Sequence, residues 1–198
     1  MSRRAARLTR AAAALAVALL AGCLGGAAPS EIELTRGTYR ATPAYFTEVS
    51  LDGGQYLPLP SAMAGHADEM EPRTQNSMYL GWRGGSGKVP VRVSWVELLS
   101  GRAWVAETAV DMGALERSAS GAARIGVIVG PNGLLLVASD PLPTEGGPRN
   151  LARTCGKRAP DNDRDLRAET GSEPKLARLF SYSYPPVPET TECPEPAR

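Results

Sequence analysis

The sequence contains a single histidine, His66, among its 198 residues. A Ser-His-Asp triad built on it would need a serine nucleophile and an acid in a recognisable context, and the chain offers neither. A zinc site would lack the second histidine that such sites commonly use. The residues around His66 are polar and typical of a loop, so we expect an exposed histidine. The sequence predicts no catalytic residues, no metal ligands and no enzymatic activity.

The chain also lacks a hydrophobic run long enough to span a bilayer. The apolar segment Ala11–Ala21 has about half of the ~20 residues that a transmembrane helix needs. Four arginines and no acidic residue precede this segment, and small residues end it. That order is typical of a secretory signal peptide, so we predict that residues 1–22 are removed.

The signal ends in Leu20-Ala21-Gly22-Cys23, which resembles the lipobox of bacterial lipoproteins. The resemblance implies cleavage after Gly22, a diacylglycerol thioether on Cys23 and an acyl chain such as palmitate on the new amino terminus. Each buried CH₂ group of these chains contributes ~0.8 kcal/mol to membrane binding. Leu24 follows the cysteine, and by resemblance to enterobacterial sorting this residue favours the periplasmic face of the outer membrane. The alternative is a plain signal peptide with an incidental cysteine.

Basic residues are scarce once the leader is removed. The leader holds four of the 22 basic residues, which leaves 18 against 21 acidic residues and a formal net charge of −3. This excludes a basic face for nucleic acid. The glycine-rich segment Gly84–Lys88 departs from a phosphate-binding loop, because Trp82 and Val89 stand where glycine and Ser or Thr are required. Strands are expected on both sides of it, so we predict a hairpin turn and no nucleotide or other cofactor.

Cysteine is scarce too, with three residues in the chain. Lipidation would use Cys23, which leaves Cys155 and Cys193 as a pair in a compartment that permits disulfides. We predict that they are bridged. Two free thiols remain the alternative, because sequence alone does not show that the two residues approach each other.

Long helical patterns are few, whereas the 21 glycines and 17 prolines suit short strands joined by turns. The predicted fold is mainly β, an antiparallel sheet or small β-sandwich with one or two short helices. We expect residues 23–30 to form a lipidated tether, 31–184 a single β-rich domain and 185–198 a tail rich in proline and acid. The mature length suits one domain.

Alternating apolar residues place the individual strands. Over 44–51 the alternation predicts one shared face, and the turn residues that follow predict a hairpin. That face would carry Tyr45, Thr47, Val49 and Leu51. Residues 61–76 are predicted to form an exposed loop, and 77–82, 89–95 and 102–112 to form strands. Pro131-Asn132-Gly133 predicts a hairpin into an apolar central strand over 134–138. Residues 173–180 predict an amphipathic helix.

Two C-terminal patterns invite a functional interpretation. Asp161, Asp163 and Asp165 have the spacing of the first ligands in a calcium loop, but Leu166 stands where glycine is required and Ser172 where Glu should chelate. We therefore expect a solvated charged loop or helix start. After the helix, Tyr182 and Tyr184 form an aromatic exit that we expect to cover the sheet edge, with partner recognition as the second interpretation.

The middle of the chain resembles the family of Gram-negative lipoproteins catalogued as domain of unknown function 2931. The likeness covers about residues 78–139. It rests on Trp82, Trp95, Trp104, Met112 and the turn Gly130–Gly133 before an apolar strand. In this sequence Leu136-Val137 stands where the family pattern would have a tryptophan. Some lipoproteins of this kind are encoded beside type VI secretion toxins, notably phospholipases, and the resemblance implies a similar role as an immunity protein.

These observations predict a membrane-anchored periplasmic lipoprotein that acts as a non-catalytic binding protein with a protein partner. The resemblance extends this to an immunity protein for a type VI secretion toxin such as a phospholipase. A structural or envelope-assembly lipoprotein of the outer membrane is the alternative function. A periplasmic enzyme is the third hypothesis, and the scarcity of candidate catalytic residues argues against it.

Overall fold

Two β-sheets form the framework of the part of the protein that the structure describes. The computed structural model describes residues 28–38, 42–55, 61–63, 73–140, 146–184 and 192–193. Within them the strands are β1 (Glu31–Thr38), β2 (Ala44–Leu51), β3 (Gly54–Gln55), β4 (Ser61–Met63), β5 (Arg73–Gly81), β6 (Lys88–Glu97), β7 (Ala103–Asp111), β8 (Ala123–Val129), β9 (Leu134–Ala138), β10 (Asn150–Cys155) and β11 (Lys157–Arg158). Helix α1 covers Pro174–Phe180. The predicted mainly β fold with a short helix is confirmed.

The strands divide into sheet A and sheet B. Sheet A has the order β10-β9-β8-β1-β5, and sheet B has the order β11-β7-β6-β2-β3, with β4 also paired to β2. Neighbouring strands run antiparallel except β1 and β8, which are parallel. Short turns join the antiparallel pairs β2–β3, β6–β7 and β8–β9, whereas the antiparallel pairs β1–β5 and β2–β6 join distant segments. The parallel pair β1–β8 also joins distant segments, as parallel strands require a long connection.

The core lies between the two sheets. Alternation along β6 buries Val89, Val91, Val93 and Trp95, as the sequence predicts, and leaves Lys88, Pro90 and Arg92 exposed. Strand β7 buries Trp104 opposite Trp95. Sheet A contributes buried residues from β1, β8 and β9, which are Ile32, Leu34, Ile125, Val127, Val129, Leu135 and Val137. Strand β9 is buried along its whole length and paired on both sides, so its prediction as an interior strand is confirmed.

The prediction that Tyr45, Thr47, Val49 and Leu51 share one face of β2 is wrong for the first half of the strand. The pairing of β2 with β6 shifts register between Phe46 and Glu48, so one extra residue enters β2 there. Because side-chain orientation alternates, this bulge reverses the face of every residue before it. Phe46 therefore joins Val49 in the core between the sheets, whereas Tyr45 packs in a separate cluster.

Two further predictions need correction. The segment 61–76 was predicted as an exposed loop, but β4 lies within it and β5 begins at Arg73. Strands β10 and β11 lie in a region where the sequence predicts no strand. Their side chains are mostly of intermediate exposure and include arginine and lysine, so the alternation that marks a half-buried strand is weak there.

The chain crosses from sheet A to sheet B at Gly156, between β10 and β11. Its N–H donates to the Gly133 carbonyl at 2.7 Å, and a Cβ placed on Gly156 would lie 2.9 Å from the Val105 carbonyl oxygen. The same corner contains the predicted hairpin between β8 and β9, where Asn132 and Gly133 have positive φ of 55° and 84°. Only residues tolerant of that conformation fit there, which confirms the turn chemistry expected of Asn-Gly.

Candidate binding surface

The segment from β11 to α1 lies across the outer face of sheet B, and we call it the strap (Lys157–Phe180). Its buried side chains are Leu166, Leu176 and Leu179. They pack on Tyr45, Val96, Leu98 and Ala103 of the sheet, with Tyr184 partly buried against them. The predicted amphipathic helix is confirmed, since Leu176 and Leu179 of α1 face this cluster. The sequence therefore folds back to cover one end of the sheet and leaves the rest of that face open.

Asp163 fixes the strap to β7. Its Oδ1 accepts hydrogen bonds from the Ala103 backbone N–H at 2.7 Å and from Arg158 Nη1 at 2.8 Å, while Oδ2 accepts from Nη2 at 2.8 Å. The hydrogen bonds from Arg158 lower the Asp163 pKa to about 2, and that from Ala103 adds to the effect. Such a bidentate pair has defined geometry and stays charged above strongly acidic pH.

Arg164 lies beside this clamp and separates two depressions in the surface. Its guanidinium sits 4.6 Å from the ring centre of Tyr45, and its Nε donates to Glu169 Oε1 at 3.1 Å. The hydrogen bond to Glu169 raises the Arg164 pKa, against the opposing effect of burial. Its backbone N–H donates to the Gly101 carbonyl at 3.0 Å, which ties the strap to the β6–β7 turn. The arginine is therefore held from three sides.

The larger depression, which we call the groove, has a volume of about 520 Å³. It runs between the strap at Asp161–Arg164 and the outer face of β2, β6 and β7, where Thr47, Ser94 and Val105 line it. Serine, threonine and valine side chains are short, so this floor is shallow and mixed in polarity.

A row of charged residues crosses the three strands at the groove. Arg92 of β6 donates from Nε to Glu48 Oε2 of β2 at 3.3 Å and from Nη1 to Glu107 of β7. Ser94 Oγ donates to the same Glu48 oxygen at 3.2 Å. Hydrogen bonds to Glu107 and Glu48 raise the Arg92 pKa. Exposed pairs of this kind contribute little stability, about 0–1 kcal/mol, but they place polar groups at defined positions on an open face.

The smaller depression lies on the other side of Arg164 and has a volume of about 400 Å³. It is lined by the β6–β7 turn and by the strap, and it contains Leu99, whose side chain is among the exposed large apolar ones. Phe180 of α1 closes it, with the Arg167 guanidinium 4.5 Å from the ring centre. Apolar surface beside fixed arginines is typical of protein interfaces.

A buried ion pair supports the β6–β7 turn beneath this surface. Glu97 is 1% exposed, and its carboxylate accepts from Arg102 Nη2 at 2.9 Å and from the Asn132 backbone N–H at 2.7 Å. Ser100 Oγ donates to it as well. Arg102 also donates to Asn132 Oδ1 at 2.8 Å, so the network joins the β6–β7 turn to the β8–β9 hairpin. A buried carboxylate needs such partners, because an unpaired charge in the interior is costly.

The charged side chains of this surface are paired with one another. The carboxylates of Glu48, Asp163 and Glu169 accept from guanidinium groups, and the Ser94 hydroxyl donates to Glu48. Within the described ranges there is no group of three His, Cys, Asp or Glu residues placed to hold a metal ion. Ion pairs formed within the protein hold these charged and hydrogen-bonding groups at fixed positions on its surface.

The structure places the remaining predicted residues as follows. Cys155 and Cys193 lie at disulfide distance, with their Cα atoms 5.7 Å apart. Cys193 packs on the outer face of sheet A against Ile128, Leu134, Leu136 and Ala138. The predicted hairpin turn at Gly84–Lys88 is wrong, because the segment leads from β5 in sheet A to β6 in sheet B and the two strands do not pair. Leu20, Ala21, Gly22, Cys23 and His66 lie outside the described residues.

The aspartates of the 161–165 segment and the tyrosines after α1 contact other parts of the domain. Asp163, the middle of the three aspartates, accepts hydrogen bonds from Arg158 and from the Ala103 N–H. Asp165 Oδ1 accepts a hydrogen bond from the Ala168 N–H at 3.1 Å. Tyr184 belongs to the cluster on the outer face of sheet B rather than to a sheet edge, while Tyr182 is 47% exposed. The aspartate spacing therefore reflects how the strap is attached.

Sequence reasoning missed the groove and its charged row. Glu48, Arg92 and Glu107 come from three strands, and their proximity depends on the register of β2, β6 and β7. Each residue occupies an exposed position in an alternating strand, which marks it only as solvent-facing. The bulge in β2 adds to the difficulty, because it decides which face Glu48 occupies.

In the described part of the chain, no helix is long and apolar enough to cross a membrane. A comparison with protein-family models finds no match to this chain. Comparisons with the curated proteins and with the solved structures likewise find none. The resemblance of residues 78–139 to a lipoprotein family is therefore carried by its motifs alone and stays a prediction.

Proposed function

We propose that this chain is a lipid-anchored protein of the bacterial periplasm that binds another protein through the outer face of sheet B. The observation that carries the proposal is the groove beside Arg164, with a partly exposed floor and charged residues already held in position. Preformed polar positions reduce the ordering cost of binding, so a surface of this kind suits recognition. The lipobox supports the anchor, and residues 24–30 would separate the domain from the membrane.

The family resemblance suggests which partner the surface would meet. An immunity protein must cover a toxin's active site or hold it away from its substrate, and a phospholipase toxin meets its substrate at the membrane. A tethered binding protein is suitably located for that role. A standard interface buries ~1,200–2,000 Å² in total, and the two depressions with the strap between them offer a surface on which such a contact can centre.

The binding surface is tested with a groove-filling variant in a growth competition. Ser94→Arg places a long side chain on the groove floor, and Ser86→Arg makes the same change at an exposed site in the β5–β6 connection. We expect the gene deletion to make cells sensitive to their toxin-producing siblings. The wild-type gene and Ser86→Arg should restore resistance, whereas Ser94→Arg should not, at equal protein abundance and equal melting temperature.

The outcomes separate the parts of the proposal. A deletion strain that stays fully resistant to its siblings would contradict the immunity role. Protection by Ser94→Arg equal to wild type would leave the role intact and contradict the assignment of the groove.

The anchor has its own test. Cys23→Ala should remove labelling by an alkyne palmitate analogue and move the protein from the membrane fraction to the soluble one, because the thioether requires the cysteine sulfur. Continued labelling of Cys23→Ala would contradict the lipobox interpretation.

A further inference from the structure

Strand β5 forms an edge of sheet A that no described residue pairs with on its outer side. The edges of the two sheets at β10 and β2 are continued or covered by other segments of the chain. At β10 the chain continues through Gly156 into sheet B, and β2 carries β3 and β4 on its free side. Proteins usually protect an open edge with charge, proline or a covering segment, because its free backbone groups pair readily with another strand.

The hydrogen bonding of β5 shows which backbone groups face outward. The Trp82 N–H donates to the Ser30 carbonyl at 2.8 Å, in line with the register that pairs Leu80 with Ile32. In an antiparallel ladder, hydrogen-bonded and non-hydrogen-bonded pairs alternate. Leu80 therefore bonds to β1, and the residues on either side of it, Tyr79 and Gly81, direct their N–H and C=O groups toward the open edge.

Tyr79 and Leu80, near the C-terminal end of β5, have apolar side chains that are incompletely covered. Tyr79 is 52% exposed, the highest value among the large hydrophobic residues of the described chain. Leu80 points to the core side and is only partly buried there. A Cβ placed on Gly81 would meet no atom within 4 Å, so the space above this residue is open. Tyrosine in such a setting is a common anchor of interfaces.

We propose that a second copy of this chain pairs with β5 about a two-fold axis at Leu80. In that register Tyr79 of each copy lies opposite Gly81 of the other, and these pairs supply the four new backbone hydrogen bonds. Each tyrosine ring then covers the open space above a glycine, as aromatic residues do across strands from glycine. The two Leu80 side chains meet on the core side, where each is half covered in one copy. The strand segment is thus complementary to itself.

Charge does not oppose this pairing. The only charged residue from Ser77 to Arg83 is Arg83 itself, and in this register it lies opposite Ser77 of the second copy. Ser77 donates to Glu33 at 3.0 Å, so a carboxylate rather than a cation lies nearby. The contact is short compared with the ~1,200–2,000 Å² of stable interfaces, so the dimer forms at high local concentration. The two joined sheets would make one sheet of ten strands.

Cross-linking of the full chain tests the register. Non-hydrogen-bonded residues opposite each other have Cα atoms about 4.5 Å apart, which suits a disulfide. Leu80→Cys should therefore give a covalent dimer on a non-reducing gel after mild oxidation. Two controls should run as monomers on the same gel because they form no covalent link at the strand edge. They are the parent chain and Tyr182→Cys, which places a cysteine at the other exposed tyrosine. No dimer from Leu80→Cys, or equal dimer from Tyr182→Cys, would overturn the proposal.

Two further measurements keep the test independent of folding defects. Tyr79→Pro removes an N–H that faces away from β1, so the internal ladder is preserved while the dimer loses a donor. Adding it to Leu80→Cys should abolish the cross-link with an unchanged circular dichroism spectrum, and a persistent cross-link would contradict the pairing. In the unmodified chain, the Tyr79 and Gly81 amides should exchange with solvent at least tenfold more slowly at high than at low protein concentration. Equal exchange at both concentrations would overturn the proposal.

Discussion

The link between Cys155 and Cys193 yields a sharp stability prediction. The two residues are 38 apart in sequence, and the loop between them contains the strap and α1. A cross-link over that distance lowers the entropy of the unfolded chain by an amount that corresponds to about 4 kcal/mol at 25 °C. Because folded domains are stable by only about 5–15 kcal/mol, the disulfide would account for a large part of the total.

The assay is urea unfolding of the chain from Leu24 onward, with and without a phosphine reductant, beside the double variant Cys155→Ser/Cys193→Ser. For an m-value of about 2 kcal/mol/M, the loss of about 4 kcal/mol moves the midpoint down by about 2 M. Reduced wild type and the double variant should unfold together, and the double variant should not respond to the reductant.

Thiol labelling completes the experiment. The unreduced, unfolded chain should show no reactive thiol, and the reduced chain two. Two reactive thiols before reduction would refute the disulfide. A midpoint shift equivalent to less than about 1 kcal/mol would refute the entropic reasoning, because it would mean that the unfolded chain is constrained without the link.

Four other substitutions test the ion pairs and the tight turn. The Asp163 pKa of about 2 is below the usual ~3.9, so the ionised carboxylate stabilises the fold above pH ~4, and this stabilisation is lost as the pH falls toward 2. Asp163→Asn should therefore unfold at lower denaturant concentration than wild type at about pH 6. Its stability should also lack the loss between about pH 4 and pH 2 that wild type shows. Arg102→Met should destabilise by about 3–5 kcal/mol by leaving Glu97 buried without its cation, and adding Glu97→Gln should recover part of that loss; no recovery would contradict the ion-pair account. Gly133→Ala should lower the melting temperature, because φ is 84° and the new Cβ would lie 2.6 Å from a ring carbon of Trp104. An unchanged melting temperature would contradict this, since it would mean that the β8–β9 turn shifts away from Trp104 without loss of stability.

Much of the fold follows from local sequence patterns. Strand β6 alternates without interruption, and the Asn-Gly turn between β8 and β9 has the positive φ values that these residues tolerate. Strand β2 shows where such reasoning fails. One extra residue enters β2 where it pairs with β6, and the sequence of β2 alone does not show at which residue its alternation changes face.

The candidate site was less accessible to prediction. Arg158 and Asp163 are only five residues apart, yet their bidentate contact depends on how the strap turns after β11. The row from Glu48 through Arg92 to Glu107 requires the alignment of three strands. Charged residues at exposed positions look alike in a sequence, because solvent satisfies all of them equally well until the fold brings two together.

The sequence by itself determined the mainly β class, the hairpins after β2, β6 and β8, the amphipathic α1 and the choice of Cys155 and Cys193 as the pair to be joined. These follow from backbone preferences, residue periodicity and cysteine number, which act over a few residues or need only counting. The tertiary structure alone decided the division into two sheets, the groove beside Arg164 and the open edge at Tyr79. Those features depend on which distant strands become neighbours, and that choice is made by the burial of the whole core rather than by any one segment.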